Sequence, residues 1–266
     1  FTYTNKKYGK NISFIFNLLI CGMPHMMQYA LELRMYSYAL LFVTITFLVS
    51  LSIKENSANY LKWFLLTVFS TLALYTHYFA GLACVIIFIE LLIYFIKEKN
   101  IQSIINVFLF GVMVVAFFSP WLIVFIKQVI KVNKSYWILP ITFLDIIKCL
   151  TLFFTYNSIT SSILAFILIA LAILGIYKLK NENKDETISG IFVYLFTFIV
   201  GIFISLFIKP ILVPRYLIVT AGCFYFSLSF GINKIVNDFN YKKLSKITYA
   251  LLIFTTIFTN SYCLVY

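Results

Sequence analysis

The chain has 266 residues, of which 62% are hydrophobic, 20% aromatic and only 11% charged, with a mean hydropathy of +0.98. This composition excludes a soluble globular domain and points to an integral membrane protein. The net charge of +12 would suggest nucleic acid in a soluble protein. Here the basic residues lie between apolar runs, as topology signals and headgroup contacts, so no nucleic-acid partner is expected.

Apolar runs predict about nine helical spans, near 11–27, 36–53, 61–76, 78–96, 104–126, 158–177, 188–208, 216–233 and 247–265. The longest polar stretches, near 178–187 and 234–246, are only connector length. The whole of 1–266 therefore reads as one all-α, polytopic transmembrane domain. The intervening basic residues alternate unevenly. One set of loops holds fourteen lysines; the other holds Arg34, Lys127, Lys131, Lys134, Lys148, Lys209 and Arg215. The positive-inside rule then places the first set and the N-terminus in the cytoplasm, with the second set facing outward across the cell membrane. The outer set carries only Glu32 and Asp145 as acids, and this positive outer face suits an anionic ligand.

Four outward features could carry chemistry. The first is the polar island Pro24–Tyr36, which brings His25, Glu32, Arg34 and Tyr36 beside two apolar runs. Ionisable groups next to hydrocarbon are costly unless they face water, a partner or a substrate. On helical spacing His25, Gln28, Tyr29, Glu32 and Tyr36 share one face, and Arg34, two residues from Glu32, points elsewhere. An internal ion pair is thus not expected. The second is the turn Tyr75-Thr76-His77-Tyr78, whose histidine is either a packed interfacial residue or a ligand-facing one.

The third is the segment 127–157. Lys127, Lys131 and Lys134 follow helical spacing, Tyr136-Trp137 supply an aromatic anchor, and Pro140 breaks the chain. Residues 141–154 are too short to span and read as an interfacial or re-entrant amphipathic helix. The lysines and aromatics suit a phosphate and a sugar face, or equally plain headgroup anchoring. The fourth is Lys209–Tyr216, in which prolines restrict Arg215, either as an anion ligand or as a snorkelling interfacial residue. The five cysteines are scattered, with no disulfide or metal spacing. No cofactor is evident, although a divalent cation is left open.

The order of these features resembles the GT-C superfamily of membrane glycosyltransferases, in particular the bacterial branch of protein O-mannosyltransferases and aminoarabinose lipid A transferases. The resemblance rests on Tyr29-Ala30-x-Glu32-x-Arg34-Met35-Tyr36, Leu74–Tyr78, Pro120-Trp121, Tyr136-Trp137-Ile138 and Val213–Leu217. It implies transfer of a sugar from a polyprenyl-phosphate-linked donor to a lipid, glycan or protein acceptor at the outer membrane face. Arg34, Tyr36, His77, Lys127, Lys131, Tyr136, Trp137, Arg215 and Tyr216 would then bind substrate. The family's first span and acid-bearing first external loop have no counterpart before Phe1. The chain is therefore expected to be N-terminally truncated, with Glu32 a supporting carboxylate and the main base upstream. Two other classes fit the composition: a lipid-linked glycan flippase and a non-enzymatic membrane assembly subunit.

Overall fold

The computed structural model describes residues 2–23, 26–32, 34–134, 138–153, 159–179, 183–237, 246–251 and 253–254. Among these residues the regular elements are all helical and no strand occurs. In chain order they are α1 (Thr2–Tyr8), α2 (Lys10–Gly22), α3 (Met26–Leu31), α4 (Tyr36–Glu55), α5 (Tyr60–Thr76), α6 (Tyr78–Lys97) and α7 (Ile101–Lys134). There follow α8 (Phe143–Thr151), α9 (Ile159–Tyr177), α10 (Lys184–Phe207), a 3-10 helix (Pro214–Thr220) and α11 (Ala221–Asn237).

Five described stretches are long and apolar enough to cross a membrane: Tyr36–Glu55, Tyr78–Lys97, Ile101–Ile130, Lys184–Phe207 and Pro214–Asn237. The chain is therefore an all-α protein with the helices of a membrane protein. The expected span at 61–76 forms α5, but buried hydroxyls at Thr67, Ser70 and Thr71 make it more polar than its neighbours. Thr67 and Thr71 satisfy their hydroxyls by donating to the carbonyls of Trp63 and Thr67 one turn back. The expected span at 247–265 lies mostly outside the described residues.

The chain divides into two compact units. The first comprises residues 1–34, 150–191 and 221–266, the second 35–149 and 192–220. The first unit is built on α11, which is buried without a break from Ala221 to Ile232. Lipid offers apolar surface as readily as protein does, so close packing rather than water exclusion has to hold such a helix. Small residues allow it. A Cβ on Gly175 of α9 would lie 1.8 Å from the Gly231 carbonyl oxygen of α11, and one on Gly231 would lie 2.0 Å from the Ala172 oxygen. Gly190 likewise lets α10 approach Cys223 and Ser227. On another side Phe226 meets Tyr8 and Phe16 edge-on, each at 5.3 Å between ring centres.

The second unit stacks α4, α5 and α6 in succession, with α7 against α5 and α6. At one end Trp63 is fully buried and stacks on Phe110 of α7 at 5.6 Å, beside Ile53, Leu66, Leu91 and Phe95. Its indole N–H donates to the Ser57 carbonyl at 2.9 Å. At the same end the Lys54 ammonium pairs with the Glu90 carboxylate and sits 5.2 Å from the Tyr94 ring centre. Lys62 donates to the Ser52 carbonyl at 2.6 Å. The pairing explains how Glu90 is tolerated inside an apolar helix: both partners are mostly buried and each cancels the other's charge.

The interfacial-helix segment expected at 141–154 forms the nine-residue α8. A reciprocal cap starts it: the Asp145 carboxylate accepts from the backbone and hydroxyl of Thr142, and the Thr142 hydroxyl accepts from the Asp145 N–H. These bonds hold the exposed Asp145 carboxyl below its usual range.

Candidate functional site

The site-bearing end of the second unit is opposite Trp63 along its helices. It starts from a turn of minimal length. α5 ends at Thr76, α6 begins at Tyr78, and the single residue between them, His77, is extended. Its N–H closes α5 by donating to the Ala73 carbonyl at 3.1 Å. Its imidazole Nδ1 opens α6 by accepting the Phe79 N–H at 3.1 Å. An acceptor Nδ1 carries no proton, so the neutral ring bears its proton on Nε2. Burial, and after it the positive charge of Arg215, push the His77 pKa down to about 4. The ring is thus a neutral donor at physiological pH, not a cation.

Three sequence segments converge on this ring. Tyr36, the first residue of α4, places its ring 5.7 Å from His77 and is almost fully buried. Tyr216, in the 3-10 helix, meets His77 edge-on at 4.8 Å and lies 6.4 Å from Tyr36. Phe79 closes the cluster 5.4 Å from Tyr216. The sequence reading missed Phe79, although a bulky apolar residue two positions after a helix-capping histidine was its available signal. The rings fill the space between α4, α6 and the 3-10 helix, so the cluster is a support rather than a cavity.

The cation of this end is Arg215, half-buried, with its guanidinium carbon 5.9 Å from the centre of the Tyr216 ring. The preceding loop is tied down by Ser205 of α10, whose hydroxyl oxygen accepts from the N–H groups of Ile211 and Leu212 at 3.1 and 2.9 Å. Gly201 of α10 leaves room for Leu212 and Phe79; a Cβ there would come within 3.2 Å of both. Arg215 therefore follows a tied-down loop and lies beside the Tyr216 ring of the aromatic cluster.

The helical-face expectation for the polar island does not hold. α3 stops at Leu31, and Glu32, Arg34 and Met35 form a bend and turn before α4 begins at Tyr36. Helical spacing no longer governs there, and the two-residue offset becomes a pairing distance. Arg34 Nε lies 3.6 Å from Glu32 Oε2, so Arg34 points toward Glu32 rather than away from it. Arg34 is about half exposed, so an ion pair of this length contributes at most about 1 kcal/mol. Glu32 and Arg34 belong to the first unit, Tyr36, His77, Arg215 and Tyr216 to the second.

Lys127 stands exposed on α7, next to Gln128, whose side-chain carbonyl accepts from the Tyr78 hydroxyl. Lys131 lies in the last turns of α7, and its side chain is outside the described set. His25, Tyr136 and Trp137 lie outside the described residues. Pro120 interrupts the α7 hydrogen-bond ladder, and the Ser119 hydroxyl donates to the Ala116 carbonyl that the proline cannot serve, at 2.7 Å. Tyr75 donates to the Phe117 carbonyl at 3.0 Å and packs edge-on against Trp121. Among the described residues no three of His, Cys, Asp and Glu gather as metal ligands.

Comparison with known proteins assigns no relative: no family model, no curated protein and no solved structure matches this chain.

Proposed function

We propose that the chain is part of a GT-C-like membrane glycosyltransferase of about nine spans that transfers a sugar from a polyprenyl-phosphate-linked donor. The observation that carries this reading is the meeting of Tyr36, His77 and Arg215-Tyr216 at one end of the second unit. Three of the short motifs behind the family resemblance are distant in sequence, yet they build one cation-bearing cluster. Their common end also agrees with the loop alternation that sets them all on the outward side, with Lys54 and Lys62 at the other.

In the reaction, the bond between the sugar's anomeric carbon and the lipid phosphate oxygen breaks, and the acceptor hydroxyl oxygen forms the new bond. The bonding electrons leave with the phosphate, and the acceptor proton passes to a base. Arg215 offsets the charge that grows on the departing phosphate. His77 and Tyr36 keep Arg215 and Tyr216 in place as positioning residues. Glu32 enters as a supporting carboxylate, with Arg34, Lys127, Lys131, Tyr136 and Trp137 as donor or acceptor contacts, on the strength of the sequence motifs alone. The acceptor is a lipid, glycan or protein hydroxyl.

The test is transfer from a radiolabelled polyprenyl-phosphate sugar in membranes carrying the protein. Arg215→Ala and Glu32→Gln are expected to abolish transfer with the protein still folded. Unchanged turnover in both variants sinks the assignment. Movement of the intact lipid-linked sugar across the bilayer, with no covalent transfer, supports a flippase instead.

A further inference from the structure

The loop that leaves α10 carries Arg215 to the His77 end, and its backbone N–H groups need acceptors on the way. Two of them turn back on the helix: Ile208 and Lys209 both donate to the Ile204 carbonyl, at 3.0 and 2.9 Å. Pro210 has no N–H to give. The next two, of Ile211 and Leu212, converge on one atom, the Ser205 hydroxyl oxygen, at 3.1 and 2.9 Å. A hydroxyl oxygen has two lone pairs, so a single serine serves both donors. Ser205 and Leu212 are buried, so little water competes for these bonds.

From Leu212 to Arg215 the chain has little freedom left. Leu212 is held a second time by its side chain, which packs where Gly201 leaves room; a Cβ on Gly201 would lie 3.2 Å from Leu212 Cδ1. Gly201 and Ser205 are four residues apart, on one face of α10. The Val213 carbonyl then accepts the Tyr216 N–H at 2.9 Å, closing a turn over Pro214 and Arg215. Proline stands at the second position of that turn, where its fixed φ is favoured. The path from Ser205 to the Arg215 backbone thus runs through two hydrogen bonds, a buried side chain and a proline turn, all within the second unit.

We infer that Ser205 is the positioning residue for Arg215. By taking both loop N–H groups it sets where the guanidinium meets a polyprenyl phosphate, without touching the ligand itself. The inference rests on the glycosyl-transfer reading for its ligand and names the side chain that places the cation. A serine that merely tied the loop to α10 would matter equally whatever stood at position 215. A positioning serine acts through Arg215 alone.

The test measures binding of radiolabelled polyprenyl phosphate to the full chain in detergent, with unphosphorylated polyprenol as the control. Ser205→Thr keeps the hydroxyl, and Ser205→Val has the shape of threonine without the acceptor. Arg215→Ala should bind the phosphate about tenfold more weakly and Ser205→Val roughly threefold more weakly, with Ser205→Thr close to wild type. Polyprenol binding should not respond to any of them. In the Arg215→Ala background, Ser205→Val should cost nothing further. If Ser205→Val folds poorly, Gly201→Ala replaces it: it crowds Leu212, removes no hydrogen-bonding group and should also weaken phosphate binding only when Arg215 is present. Equal phosphate affinity in the threonine and valine variants, or unchanged affinity in Gly201→Ala, overturns the inference. So does a loss of the same size in the Arg215→Ala background, or a wild type that binds phosphate and polyprenol alike. Sugar transfer measured alongside separates the two readings. Phosphate binding that depends on Arg215 and Ser205 without any transfer overturns the glycosyl-transfer reading and upholds this inference. Transfer lost in Arg215→Ala but intact in Ser205→Val, with phosphate affinity also intact, does the reverse.

Discussion

The second unit solves the problem of charge in an apolar bundle differently at its two ends. At the Trp63 end the ions are matched: Lys54 pairs with Glu90, Lys62 caps a backbone carbonyl, and the Trp63 indole is bonded inside a stacked aromatic core. At the His77 end a cation is set over rings: Arg215 lies against Tyr216, and Tyr216 rests on His77, Tyr36 and Phe79. Burial and the charge of Arg215 keep that histidine neutral. The first arrangement cancels charge and locks α4 to α6. The second sets a guanidinium beside a cluster of aromatic rings, at the end that carries the proposed site.

The largest effect should come from breaking the matched end on one side only. Glu90→Ala leaves a buried ammonium uncompensated and should cost roughly 3–5 kcal/mol, whereas the double change Lys54→Met with Glu90→Met should recover most of it. Thermal unfolding in detergent measures both. If Glu90→Ala melts like wild type, the pair is not buried as described. Trp63→Ala should follow, at roughly 3 kcal/mol or more, through loss of packing and of the indole hydrogen bond.

The other end should be sensitive to pH instead. The folded His77 pKa of about 4 lies below its unfolded value of 6.5, so the unfolded chain binds the proton first. The stability tied to neutral His77 is full above pH 6.5 and is lost as the pH falls toward 4. His77→Asn can still cap α6 but does not titrate, and it should flatten the melting profile between pH 7 and pH 4.5. A wild-type slope in this variant would place the titration elsewhere. His77→Ala should lower stability by about 1 kcal/mol at neutral pH, through loss of the cap. The smallest effect belongs to Glu32→Gln, whose half-exposed, 3.6 Å ion pair should change the melting temperature hardly at all while transfer is lost.

What could be read before the structure follows the range of the interactions. Apolar runs marked α4, α6 and α7 because hydropathy is local, and the Thr142–Asp145 cap made a short helix where the segment was too brief to span. His77 and Arg215 stood out as rare polar groups at span ends. Their meeting with Tyr36 was not legible, since it depends on helix packing rather than on spacing. The same holds for Glu90: its cost inside an apolar run was visible in sequence, but its partner Lys54 sits near the end of another helix. The Glu32–Arg34 pair was misjudged because helical geometry was carried past Leu31, where α3 ends.

The central claim is that the Arg215 end performs the chemistry and the Lys54–Glu90 end only holds the helices. One measurement addresses it directly: sugar transfer from a polyprenyl-phosphate donor by Arg215→Ala and by the Lys54→Met, Glu90→Met double variant, compared at equal amounts of folded protein. The account predicts that Arg215→Ala loses transfer and that the double variant keeps it. Transfer that survives Arg215→Ala and disappears in the double variant would contradict it.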